Sequence, residues 1–479
     1  MTRPHYSLTF AVLTLAGLAY TVLTSLVAPA LRSLALDLHT TPTAATWLLT
    51  APFLSAAVAT PIIGRLGDMF GKKRVLVLTL AVMALGTLVS AVASSLPAML
   101  VGRVIQGFGG GVFPVSFAII RDEFPRERAA TSTGVLSSLF GVGAGLGIVI
   151  TGPILDHLSY HWLFWIPFAA TVAATLAALP LVPESPIRTP GHVDWLAAAG
   201  LAAWLVALLL AISQAPAWGW GSGQVAGLLA AAAVLAAIWI VVERRSRAPL
   251  VDLPLMRRRT VWATNAAAAL VSFGTFAMFV VVPQFVETLA ATGYGFSASI
   301  TQAGLYLVPL SVTILIFGDI AGRLDRRTGS RLPLVLGAAV AAAAFVLMGL
   351  AHDQHYQIYL GTALAGAGIG LAFAAMINLL DGAVPSDQTG IATGINAIMR
   401  SVGGAFGTTL TAVILAGSTG ASGLPRQSGF TLAFLVSAVG LGVAALVSLA
   451  VPRSQRQQLP SRPAPDPTAT SARTHDGRI

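Results

Sequence analysis

Fourteen apolar runs, each close to the length that crosses a bilayer, leave this chain few folds to choose from. They read as Leu8–Leu31, Trp47–Ile63, Val75–Ala93, Ala98–Ile120, Ala129–Leu155, Trp162–Val182, Val193–Ile212, Gln224–Val242, Val261–Val286, Ala298–Ile320, Leu332–Ala351, Ile358–Leu380, Gly390–Ala416 and Phe430–Val451. A helix needs about 20 mainly apolar residues to cross the hydrocarbon core. Only 10% of the residues are charged, against roughly 25% in a soluble domain. The expectation is an all-α integral membrane protein with both termini on one side.

Charge placement tests that count. Of 28 Lys and Arg, only Arg32 and Arg426 fall in loops on the outer face, and only Arg103 and Arg400 fall within spans. The others lie in inner loops or tails, as expected when short basic loops are retained inside. The net charge of +10 is thus topogenic, and nucleic-acid binding is not expected. The first span is too long for a signal-peptide core and is read as retained. With no cysteine, disulfides, thiolate metal sites and thiol nucleophiles are excluded.

The chain repeats itself. Gly64-Arg65-Leu66 recurs as Gly322-Arg323-Leu324, an offset of 258 residues. Gly102, Gly107 and Gly109 recur as Gly361, Gly366 and Gly368 at 259, and Pro125, Thr133-Gly134 and Gly143 recur as Pro385, Thr393-Gly394 and Gly403 at 260. Two six-helix bundles follow, 8–182 and 261–451. Between them, 183–260 holds two inserted helices and a basic loop. Residues 1–7 and 452–479 are expected to be cytoplasmic tails, the second disordered because it is rich in Pro, Ser, Thr and Arg. Parallel six-helix repeats with a substrate path at their interface are transporter architecture.

Three stretches carry a family resemblance. Gly64 to Arg74 resembles the signature loop of the major facilitator superfamily, between its second and third helices. Leu100 to Gly109 resembles the fourth-helix motif built on an arginine, and Gly145 to Pro153 the glycine-rich fifth-helix motif of antiporters. Over residues 8–451 the chain resembles the fourteen-helix drug:proton antiporter branch. That resemblance implies an inner latch at Gly64, Asp68, Gly71, Lys72, Lys73 and Arg74, and an Arg103 implicated in proton coupling.

Elementary chemistry adds to this. The loop glycines permit a sharp turn, Asp68 can accept from free amides at a helix N-terminus, and Lys72, Lys73 and Arg74 supply partners and hold the loop at the headgroups. Arg103 is costly within a span and should face the bundle interior or a wet cavity, with Gln106 on the same helical face. Its repeat equivalent is Thr362, so packing alone does not require the charge. Arg400 is a second cavity candidate, or else the partner of Asp381 or Asp387. Gly145, Gly152, Pro153, Gly403 and Gly407 are expected to form helix seams between the halves. Trp47 and Phe276 are candidates to line an apolar cavity, with Pro52, Phe273, Phe279 and Phe285 near them.

Acids suited to carry protons are few. Asp156 and Glu287 are the candidates, since partial burial would raise their pKa toward neutrality. His157 and His161 have helical spacing, but their loop position argues against a metal site. Relatives in this branch commonly carry an acid, an asparagine and a proline in the first span. Here Pro29 fits, while Tyr20 and Ser25 stand where the acid and amide would align.

These features point to a proton-driven exporter of amphipathic small molecules, drugs among them, working by alternating access. It is expected in the plasma (inner) membrane, monomeric, with no cofactor beyond the proton gradient and no enzymatic activity. An importer on the same fold, a dedicated metabolite exporter and a non-transporting sensor remain open. No GxxxxGK[ST] phosphate loop is present to power an ATP-driven pump.

Overall fold

The computed structural model describes residues 6–45, 47–185, 194–246, 253–384, 389–419 and 424–452. Among the described residues, fourteen helices are long and apolar enough to cross a membrane. They are α1 Tyr6–Leu31, α2 Trp47–Phe70, α3 Lys72–Val92, α4 Leu96–Glu123, α5 Thr131–His157, α6 Trp162–Leu181 and α7 Trp195–Ala215. The rest are α8 Gly223–Arg245, α9 Arg259–Glu287, α10 Ile300–Thr328, α11 Arg331–Leu350, α12 His355–Ala383, α13 Ala392–Gly417 and α14 Gln427–Ser448. The chain is a multi-pass membrane protein. The expected C-terminal tail falls almost wholly outside the described residues, as do Met1–His5.

Several helices outrun their apolar stretches at one end. The second was expected to stop at Ile63 and the tenth at Ile320, yet the helices reach Phe70 and Thr328. Hydropathy ends where the hydrocarbon does, whereas the backbone ladder continues into the headgroup zone. This end, where the excess of Lys and Arg sits, is the basic end below.

Two cores organise the molecule. Residues of α1–α6 form one buried cluster that includes Leu13, Leu23, Met83, Phe113 and Phe164. Residues of α9–α14 form the other, around Phe285, Phe345, Phe373, Phe430 and Phe434. Each core borrows one side chain across the divide, Ile377 in the first and Ile148 in the second. In lipid such contacts stabilise by packing, since hydrocarbon tails are as apolar as the side chains.

The halves meet along two seams. On one, α5 runs antiparallel to α10, and glycines bring the backbones together. A Cβ at Gly134 would lie 2.6 Å from the Gly318 carbonyl oxygen, and one at Gly304 2.8 Å from the Val149 Cα. At Gly141, Gly145 and Gly152 it would strike Ile314, Ser311 and Thr301. Pro153 is exposed. On the other seam, Leu54, Ala57 and Ile62 of α2 pack with Ile395, Ile398 and Val402 of α13.

Gly403 and Gly407 do not join a seam between halves. A Cβ at either would collide with the α9 backbone, at Ala269 and Phe273. They match Gly143 and Gly147, which meet Thr21 and Ser25 of α1. The offset of 260 residues places equivalent glycines on equivalent contacts, α5 on α1 and α13 on α9. These contacts lie within a half, so the expected second seam is corrected.

Of the inserted pair, α7 covers the α2–α13 seam and α8 packs behind it. Leu201, Leu205 and Leu209 of α7, with Trp239 of α8, share a cluster with Ala57 and Ile398. Asp194 caps α7, its Oδ1 accepting from the amides of Leu196 and Ala197 at 3.1 Å. Its Oδ2 accepts from the Ser246 hydroxyl at 2.6 Å, tying the two inserted helices together at the basic end.

The seam predicts a contrast in stability. Gly145→Leu forces a side chain into Ser311 and should cost about 1–3 kcal/mol. Gly442→Leu, with nothing within 4 Å of its Cβ position, should leave the thermal midpoint in detergent unchanged. Equal midpoints for the two variants would contradict the close α5–α10 approach.

Candidate functional site

The signature stretch is helix, one residue of turn, then helix. Gly64 and Gly67 lie inside α2, and Gly71 alone links α2 to α3. Its φ of 107° lies in a region that side chains disfavour. The space is closed as well, since a Cβ there would lie 2.9 Å from the Glu184 carboxyl carbon. Glu184 accepts from the Lys73 amide at 3.3 Å and faces the Arg74 Nε at 3.7 Å. It therefore sits on the open N-terminus of α3, where a carboxylate complements the helix dipole.

Lys72 finds acidic partners but not in the headgroup zone. Instead of reaching the headgroups it is buried, with Nζ 2.5 Å from Asp122 Oδ2 and 3.9 Å from Asp68 Oδ1. Asp68 is buried too, so the latch acid reaches a lysine one turn along. The Ser185 hydroxyl also donates to Asp122. A buried pair of this kind is held by geometry, and removing one partner strands a charge.

Next to it, Arg121 of α4 crosses to the other half. Its Nη1 lies 2.9 Å from Asp381 Oδ1 of α12, and its Nη2 donates to the Val384 carbonyl at 3.4 Å. Positions 121 and 381 are repeat equivalents at the offset of 260 residues. Equivalent positions of two related halves meet at the axis relating them, so this ion pair marks the pseudo-two-fold at the basic end. It also removes Asp381 as a partner for Arg400, and Asp387 lies outside the described residues.

Arg103 is fully buried. Its Nε donates to the Leu48 carbonyl at 2.8 Å, and Nη1 donates to Leu23 O at 3.2 Å and to Gln106 Oε1 at 2.8 Å. The Leu48 carbonyl would normally receive the amide of residue 52, which is proline and has none. Arg103 supplies that missing donor and joins α4 to α2 and α1. Among the described residues no carboxylate pairs with it. Gln106 is buried against α3, its Nε2 donating to Gly86 O at 3.3 Å and Ser90 Oγ at 3.0 Å.

Arg400 lies across the other bundle. Buried on α13, its guanidinium carbon sits 3.7 Å from the centroid of Phe373 on α12. One turn earlier, Asn396 Nδ2 donates to Asn265 Oδ1 on α9 at 3.1 Å. Phe276 of α9 reaches across the halves, edge-on to Phe53 of α2 at 6.4 Å, and Gly404 leaves room for its ring. Trp47 is half-buried where α2 begins.

The acid candidates lie elsewhere. Asp156 and Glu287 are both exposed, at the ends of α5 and α9 away from the basic end. Asp156 accepts from the Thr301 hydroxyl at 3.5 Å. Neither shares a hydrogen bond or ion pair with Arg103. Asp122, Glu184 and Arg121 escaped sequence reasoning, and Asp381 reads in sequence as a candidate partner of Arg400 instead. Their available signal was the charged run Arg121-Asp122-Glu123 before Pro125, set against Asp381 before Pro385 in the second repeat.

Comparison with known proteins decides the family. The family model of the Major Facilitator Superfamily matches residues 13–408. The chain belongs to the Major Facilitator Superfamily. Within the superfamily it is 27% identical to the multidrug transporter protein MdtP of Bacillus subtilis, over 78% of this chain and 69% of that one. It is 26% identical to the tetracenomycin C resistance and export protein of Streptomyces glaucescens, over 80% of this chain and 71% of that one. The solved proton:xylose symporter XylE superposes with a TM-score of 0.62 at 17% identity, covering 94% of this chain and 96% of that one. This last likeness speaks to fold alone.

The Lys72–Asp122 pair gives a test. Either Lys72→Met or Asp122→Leu alone should destabilise by about 3–5 kcal/mol, and the double variant by much less than their sum. Additive losses in detergent unfolding would show that the two charges act independently.

Proposed function

We propose that this chain is a proton-driven exporter of amphipathic small molecules, drugs among them, at the plasma membrane. The observation that carries this reading is the pair of relatives named for multidrug transport and for resistance and export, each aligned over more than three quarters of the chain. The bundles 8–182 and 261–451 rock against each other about a path between them, with both termini cytoplasmic and one chain as the working unit. The basic end is the inner end, by its Lys and Arg. There the Arg121–Asp381 pair, beside the buried Lys72–Asp122–Asp68 cluster, is the contact that parts when the path opens inward. Arg103 responds to protonation by holding or releasing the Leu48 carbonyl, so coupling works through helix position. A dedicated exporter of one metabolite is the second reading, favoured by the relative named for tetracenomycin C.

The full chain reconstituted in proteoliposomes tests this. An imposed pH gradient should drive a panel of neutral, anionic and cationic amphipaths, and a protonophore should stop them. Transport that ignores the gradient would remove proton coupling. Arg103→Ala should abolish gradient-driven movement, and intact coupling in that variant would remove Arg103 from the mechanism.

A further inference from the structure

Positive charge at the basic end is gathered in one place. From Arg244 to Arg259, the stretch joining the inserted pair to the second bundle, there are six arginines and one acid, Asp252. Arg244, Arg245, Arg257, Arg258 and Arg259 lie among the described residues, and all five are exposed. Among the described residues none of the five is ion-paired. Positive-inside sorting needs such charges to stay in the loop and does not need the loop to fold. This one is folded. Leu253–Met256 form a helical turn, and Leu255 is buried in a cluster with Val261, Leu380, Val384 and Ala392. Leu253 and Met256 also pack on the cluster that holds Trp239, as does Val242, two residues before Arg244. Arg258 Nη1 donates to the Ala383 carbonyl at the end of α12, at 3.2 Å. The two groups of arginines therefore border one packed patch at the ends of α8 and α9.

We propose that this patch binds the headgroup of an anionic phospholipid, with Arg257 and Arg259 as its principal phosphate contacts. Like charges held together on a fixed scaffold repel until an anion joins them. The start of α9 adds to the field, because its first turn has no acid and the positive end of its dipole lies there. A guanidinium meets a phosphate through two parallel hydrogen bonds, and basic clusters just inside a membrane helix attract anionic lipid. Arg258 is engaged by Ala383, which leaves its two neighbours to the phosphate. The apolar surface beside the patch favours a lipid over a soluble anion. Val234, Ile238 and Val241 are exposed on α8 at helical spacing, and Arg245 occupies the next position on that stripe. Acyl chains lie along the stripe while the phosphate reaches the arginines. A lipid bound there joins the end of α8 to the start of α9, and so fastens the insertion to the second bundle.

Binding of acyl-labelled phosphatidylglycerol to the full chain in detergent, followed by fluorescence anisotropy, tests this against phosphatidylcholine with the same chains. The wild-type protein should bind the anionic lipid more tightly. Arg257→Gln together with Arg259→Gln should weaken that binding about thirtyfold, about fivefold for each arginine. Arg326→Gln together with Arg327→Gln removes two exposed charges from the end of α10 and should leave the affinity unchanged. Should the first double variant fail to fold, Arg259→Gln alone should still weaken binding about fivefold. Equal affinity of the wild-type protein for the two lipids overturns the inference. So does an equal loss in both double variants, which would make the attraction a diffuse property of the whole basic end. Displacement of the labelled lipid by inorganic phosphate at the concentration of unlabelled phosphatidylglycerol that displaces it would assign the arginines to a soluble anion instead.

Discussion

A helix in hydrocarbon must satisfy its own backbone, and α2 cannot do so at Leu48. Pro52 has no amide to offer the Leu48 carbonyl, and no water is at hand in the bilayer. The Arg103 Nε fills that position at 2.8 Å, and its Nη1 reaches α1 and Gln106. The arrangement of α1, α2 and α4 turns on this donor, because α2 carries the latch at one end and a seam along its length. A charge that would be expensive as a free group becomes a structural donor, and the proline that creates the need sits on a different helix.

The symmetry of the chain appears in its contacts. Arg121 and Asp381 occupy one repeat position and pair with each other, and Gly143 and Gly403 occupy another and make like contacts in their own halves. Symmetry fails at two buried charged groups. The buried lysine cluster belongs to the first half, since Asp68 has no counterpart acid in register. The arginine on an aromatic ring belongs to the second. Each bundle thus carries a buried charged group of its own on a shared scaffold.

Much of this was legible in the sequence. Span length and loop charge gave fourteen helices and their order, and the repeat gave the two halves. Side-chain destinations were less legible, for definite reasons. Lys72 reads as a headgroup residue until Asp122, 50 positions away, is known to face it. Gln106 reads as a cavity residue because helical spacing gives a shared face but not the neighbour, which is α3. Gly403 and Gly407 read as an inter-half seam because small-residue spacing marks a close approach without naming the partner. In each case one helix supplies the pattern and another decides its meaning.

The inserted helices leave the two seams unequal in lipid. Along α5 and α10 the halves touch backbone to backbone, with α12 packed against both. Along α2 and α13 the seam is covered by α7, through Leu201, Leu205 and Leu209, and α8 backs it through Trp239. The inserted helices therefore make the two seams chemically unlike, one backed by further protein and the other by no part of the insertion.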